Sequence, residues 1–285
     1  MEKLRRALAN PDVRDGLVLA VVVCVVWPLA PDRQIGPLGG LNPASLVRLV
    51  VIVTLVAAGG ALAQRFLGPR FGLVAAGFAA GFVSSSATIA AMGLRSKDDP
   101  TRGNASVAAA LASSVATVVE YGVLVGAVDS ALLVEMLPSL SLGLLAALIG
   151  TVLALARDSS NGGEAIPKGR VFQVRAAAGF AALYVGITML TRFIANHLGV
   201  AGVLGVSALG GFVDAHSTAG SIATLTLAKQ LTTATGELAL VSALTSNTVT
   251  KVVVAWTTGT RAFAARTTIG VLGIAAAAWV GVVAA

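Results

Sequence analysis

Charge is scarce in this sequence. Asp, Glu, Lys and Arg make up 12% of its 285 residues, about half the roughly 25% with which a soluble domain covers its surface. A water-exposed globule of this length is therefore excluded. The single cysteine, Cys24, allows no intrachain disulfide and no two-cysteine metal site. Aromatic residues reach only 5%, while glycine is found 32 times; runs rich in Gly and Ala suit helices that pack closely in a bilayer. The ten-residue alternation of a membrane β-barrel is missing. So are a G-x-S-x-G elbow, a phosphate-binding loop and an H-E-x-x-H pair. Ser, His and Asp occur together in the polar motifs, but nothing singles out a nucleophile, so the chain is read as no enzyme and as needing no cofactor.

What is present is apolar sequence in long runs, with a mean hydropathy of +0.88. A spanning helix takes about 20 such residues. The candidate segments are 16–30, 44–64, 71–93, 104–127, 131–156, 174–195, 199–228, 236–258 and 267–285. The first is short and ends at Pro28 and Pro31; its basic leader imitates a signal peptide, but it is read as a retained extra helix. The formal charge of +7 sits in short connectors, which points to orientation in a bilayer and not to nucleic acid. The polar stretch 157–173 divides the chain near its middle.

The two halves resemble each other. GLVAAGFAAGFVSSSAT (72–88) aligns with GVLGVSALGGFVDAHST (202–218), matching Gly81-Phe82-Val83 with Gly211-Phe212-Val213 and Thr88 with Thr218. Each motif precedes an apolar helix rich in Ser and Thr. The expected architecture is all-α and integral to the membrane: the extra helix, then repeats over 44–156 and 174–285. If 71–93 and 199–228 are broken or re-entrant, fifteen basic residues face the N-terminal side against Arg33, Arg192 and Lys229 opposite; if both cross fully, the count is nine against nine. The positive-inside rule selects the first arrangement, with a cytoplasmic N-terminus. Three crossings per repeat then invert the second repeat relative to the first, a pattern that recurs in secondary transporters.

Two motifs carry the polar chemistry. Ser84, Ser85, Ser86 and Thr88 place four hydroxyls within five residues, able to ligate an ion or to satisfy a broken backbone. Asp214, His216, Ser217 and Thr218 follow Gly211 in the other half. A charged side chain at membrane depth costs about 2.5–3.5 kcal/mol on insertion scales. Asp214 is accordingly the expected cation ligand, or else the cap of a half-helix. Oxygen-rich surroundings suit a hard cation such as Mg²⁺, partly hydrated. Glu120 and Lys251 lie at comparable depths on equivalent helices and are expected to pair across the repeat interface; Asn247 shares a face with Lys251. Lys251 and the half-helix N-termini also leave an anion pathway open.

PDRQIGPLGGLNPASLVRLVVIV (31–53), GFVSSSATIAAM (81–92), GGFVDAHSTAGSIATL (210–225) and SNTVTKVVVAWTTGTRAF (246–263) together resemble a membrane family of uncharacterised function grouped with MgtC/SapB proteins. The resemblance covers nearly the whole chain and implies the membrane component of a magnesium transport system, without the MgtC-like N-terminal domain. Relatives tend to carry a second acid at the position of His216 and Arg at that of Glu120.

The sequence therefore reads as an ion transporter or channel of the inner membrane, a cation its first expected cargo. Lipid and a small ion are its partners, and a homo-oligomer is compatible with it; an accessory subunit or membrane enzyme is the alternative of another class. The topology is testable by single-cysteine labelling in a Cys24-free protein: cysteines at Lys97 and Lys168 are expected to react from the same side of the membrane, and reaction from opposite sides would sink the arrangement.

Overall fold

Several helices of this chain start where the sequence supplies a side-chain cap. The computed structural model describes residues 11–35, 42–67, 72–157 and 174–284. Helix α1 runs through Pro11–Val21, a π-helical stretch Val22–Val26 and the turn Trp27–Leu29. Asn42 accepts the Ser45 amide and opens α2 (Pro43–Leu67), with proline in the first turn, where its missing N–H is no loss. Then come α3 (Gly72–Asp98) and α4 (Gly103–Val128). Between them, hydrogen bonds from Thr101 hold the Asp99 carboxyl below its ordinary pKa. Asp129 accepts two amides and opens α5 (Ser130–Ala156). The second half has α6 (Val174–Val213), α7 (Ala215–Leu227), α8 (Thr233–Thr258, capped by Thr232) and α9 (Arg261–Ala284).

Seven of these, α2 to α6, α8 and α9, are long and apolar enough to cross a bilayer. The protein is an all-α integral membrane protein. Three sequence boundaries move. The segment expected at 199–228 is not one element: its front part continues α6 across a kink at Gly199 (φ 58°), a conformation open to glycine, and its rear part is α7. The segment 71–93 extends to Asp98, and 267–285 begins at Arg261, because helical bonding carries on past the apolar run through charged residues. Residues 158–173 of the expected central connector lie outside the described residues.

Helix α3 is broken at Ser84 (φ −169°, ψ 109°), and its two halves lie along the same stretch of α4. Gly77 meets Ala109 and Gly81 meets Ser113, so residues 72–83 run parallel to α4. Ile89 and Met92 join Val107–Leu111 in one apolar cluster, and Leu73 and Val74 pack on it from the other end of α3. Both ends of α3 thus sit on one side of the bundle, beside Ala154 and Phe263. On that side Asn104 donates to the Arg157 carbonyl at 2.6 Å and accepts from Arg266, and Ser96 accepts the Thr260 amide at 3.1 Å.

The second half repeats the contact at an offset of 130 residues: Gly211 meets Ala243 as Gly81 meets Ser113. Its break falls at Asp214 (φ −159°, ψ 112°). Helices α5 and α9 run antiparallel, Gly143 beside Ile274 and Ala278, and Gly281 against Ser139. A Cβ on Gly81 would lie 2.6 Å from the Ser113 backbone, whereas one on Gly186 meets nothing within 4 Å. Gly81→Val and Gly211→Val are each expected to lower stability by about 1–3 kcal/mol or more, and Gly186→Ala to be nearly neutral, as measured by thermal unfolding in detergent.

Candidate functional site at the two helix breaks

A helix interrupted inside a bilayer must satisfy its freed backbone groups from within the protein. Both breaks solve this in the same way. At the first, the Ser84 hydroxyl accepts the Ala87 amide and the Ser84 carbonyl accepts the Thr88 hydroxyl at 2.8 Å. At the second, Asp214 accepts the amides of His216 and Ser217, and its carbonyl accepts the Thr218 hydroxyl at 2.9 Å. Ser84 and Asp214 are therefore the caps of half-helices, with equivalent geometry and different charge. The Ser217 hydroxyl also donates to Asp214, and the His216 ring Nδ1 lies 3.3 Å from its other oxygen. Each carboxylate oxygen of Asp214 thus has two neighbours, which occupies its four lone pairs.

The other face of the His216 ring is turned to helix α4. Its Nε2 lies 3.4 Å from the Glu120 carboxylate, which is buried to 3% side-chain exposure. The imidazole thus stands between two carboxylates. Neither Glu120 Oε2 nor His216 Nε2 has a hydrogen-bond partner among the described residues. These groups open on a cavity of about 290 Å³ bounded by both breaks, α2 and the first part of α6; Phe82, Val83 and Val213 line it from the tips, Thr54 from α2 and Phe180 from α6.

The residues expected at an ion site thus divide. Asp214 and His216 line the cavity, joined by Glu120. Ser84, Thr88, Ser217 and Thr218 have their hydroxyls engaged at the breaks, and Ser85 meets Ser113 through its carbonyl. Ser86 is half-buried beside them without lining the cavity. The expected Glu120–Lys251 pair does not form: the ion pair of Glu120 is with His216, while Lys251 donates to Ser114 at 3.4 Å and Thr117 at 3.1 Å. The physical reason is register. At the offset of 130, Lys251 corresponds to Tyr121, not Glu120, and one residue turns a helical side chain by about 100°. Tyr121 and Lys251 each reach the opposite helix instead, Tyr121 through a hydrogen bond to the Leu240 carbonyl at 2.8 Å. Asn247 is buried one turn before Lys251. Tyr121 and Tyr184, the two tyrosines of the chain, lie outside both polar motifs, and both are almost wholly buried. A phenol in a bilayer needs a partner, and that was the available signal.

Residues 51–259 match a family described as a domain of unknown function, DUF4010. The chain belongs to the DUF4010 family. No curated protein and no solved structure matches it. The DUF4010 match takes in both breaks, Glu120 and Lys251, and leaves α1, the first turns of α2 and all of α9 outside. In this DUF4010 chain a double-mutant cycle of Glu120→Gln with His216→Gln is expected to return a coupling of about 0.5–3 kcal/mol, since either single change strands a buried partner. The cycle of Glu120→Gln with Lys251→Met is expected to be closer to additive. Equal coupling in the two cycles, read from unfolding in detergent, would contradict the pairing described.

Proposed function

We propose that this protein carries a small cation across the membrane through the cavity where the two helix breaks meet, with Glu120 as the carboxylate that exchanges it. The observation that carries this reading is the position of Glu120: buried in the cavity wall, its Oε2 facing His216 Nε2 at 3.4 Å as an ion pair without a hydrogen bond among the described residues. A carboxylate kept at membrane depth is most simply explained as part of an ion or proton route. The offset of 130 residues between equivalent breaks and contacts supports reading the halves as inverted repeats, in which broken helices meet near the midplane and one unit rocks against the other. The positive-inside count supports a cytoplasmic N-terminus in a plasma membrane.

The magnesium expectation draws on the likeness to the MgtC/SapB group. Mg²⁺ requires six oxygens in near-octahedral order or retains its waters. The cavity has mostly apolar walls, and among the described residues no group of three or more His, Cys, Asp or Glu side chains is placed to hold a metal ion. Asp214, engaged as a cap, is a poorer exchanging ligand than Glu120. A proton or a monovalent ion suits this surrounding better than a bare divalent one. The anion alternative turns on Lys251, which lies in a pocket of about 10 Å³, room for about one water. Among the described residues the hydroxyl nearest the Asp214–His216 pair, that of Ser217, donates to Asp214 itself, so that trio gives no support to an enzymatic reading.

The test is flux in proteoliposomes holding the full chain, with H⁺, Na⁺, K⁺ and Mg²⁺ followed in parallel by trapped dyes. Glu120→Gln is expected to lower flux of the transported ion about tenfold or more, while Glu120→Asp retains part of it. Undiminished flux in a folded Glu120→Gln protein would remove Glu120 from the pathway.

A further inference from the structure

Resting on that cavity, we propose that the seam between α6 and α7 is a proton path joining Asp214 to the opposite face of the bundle, which makes the proton the ion that drives or exchanges with the cargo.

The seam is a row of buried hydroxyls. It begins at Asp214, to which Ser217 donates. One turn further along α7, Ser221 accepts a hydrogen bond from Thr188 of α6 at 2.8 Å. The Thr188 hydroxyl also donates to the Tyr184 backbone carbonyl at 2.7 Å, and the Tyr184 phenol beside it shares a hydrogen bond with Thr224 at 2.8 Å. Ser217, Ser221, Tyr184 and Thr188 are all within 1% of full burial. Thr191, the next α6 hydroxyl, is fully buried and has no hydrogen-bond partner among the described residues. The row ends where Arg192 donates to Gln230 at 2.5 Å. Gln230 precedes α8, so this end is opposite the side where α8 closes on Ser96 and Thr260.

Packing alone does not require such a row. The protein joins α3 to α4 through Gly77 and Gly81, and α5 to α9 through Gly143 and Ala278, without a hydroxyl ladder. The other hairpin places Ala87, Ala91 and Leu94 at the positions of Ser217, Ser221 and Thr224, and that face is exposed. Helix α2 has two hydroxyl residues, Ser45 and Thr54, along its whole length. The ladder therefore belongs to the half that holds Asp214 and His216.

A hydroxyl both donates and accepts. A proton entering beside Gln230 binds a hydroxyl oxygen as that group releases its own proton to the next, and the last passes to Asp214; rotation of each hydroxyl restores the row. Ser217 and Ser221 are four residues apart, about 6 Å along the axis, so transfer between them requires a water in the seam. The guanidinium of Arg192 keeps its protons and serves only the polar mouth. The charged and titratable groups around the inner end are Glu120 and Tyr121 from α4, His216 from α7, Lys251 from α8, and Tyr184 from α6.

The experiment uses the full chain in liposomes with a trapped pH dye, a potassium gradient and valinomycin setting the potential, and cation dyes read alongside. The double variant Thr188→Val, Ser221→Ala is expected to slow proton movement about tenfold or more, while Thr188→Ser stays near the wild type. Thr151→Val, at a hydroxyl bonded only within α5, is the control for losing a buried hydroxyl. Size-exclusion and melting profiles certify folding. Wild-type proton flux in the folded double variant, with loss in Glu120→Gln, overturns the path and leaves the cavity reading standing. Cation flux without any proton movement in the wild type overturns the path alone. No flux of any ion overturns both.

Discussion

The rest of this structure depends on one constraint: a backbone interrupted inside hydrocarbon must find its hydrogen bonds within the protein. The chain meets it twice, at Ser84 and at Asp214, with nearly identical backbone angles. Each break needs a side-chain acceptor for the next half-helix and a hydroxyl one turn on, Thr88 or Thr218, for the freed carbonyl. Each also needs small residues beneath it, so that the tip can lie on the neighbouring helix. From these requirements follow the glycines of both motifs, the hydroxyls between them, and the meeting of both tips with α2 and α6 around one cavity.

Given a common frame, the polar differences between the halves stand out. One tip is capped by a neutral serine, the other by a carboxylate that holds a histidine. Position 120 has an acid where its equivalent, Thr250, is a hydroxyl; position 251 has an amine where its equivalent, Tyr121, is a phenol. The frame is shared, and the chemistry is concentrated in the second tip and on the central helix that faces it.

The bilayer class and the helical segments were legible in the sequence because twenty-residue apolar runs have few other physical explanations. The alignment of 72–88 with 202–218 paired the two motifs in which the breaks fall, at Ser84 and Asp214, and its matched Gly81 and Gly211 mark backbone contacts that tolerate no side chain. What the sequence could not give was azimuth. Depth along a helix is readable to a few residues, but facing depends on register to a single residue. Judged by depth, Glu120 and Lys251 looked like partners; at the offset set by Gly81 and Gly211 they point apart, and Glu120 meets a histidine 96 positions away in the chain. The hydroxyls of the motifs were equally ambiguous, because capping and ion ligation call for the same residue types.

The glycine contacts have a mechanical consequence. Where Gly77, Gly81 and Gly211 touch Ala109, Ser113 and Ala243, backbone lies on backbone, and side chains such as Leu73, Val74, Ile89 and Met92 pack on α4 only to either side of that contact. Interdigitated leucines resist shear, since a knob must climb out of its hole before the helices can slip. At the glycines themselves that interlock is missing, and the contact rests on dispersion between two backbones at short range. The hairpin tips are thus seated as close to α4 and α8 as two backbones allow, and any side chain added at Gly77, Gly81 or Gly211 would lift a tip off its seat.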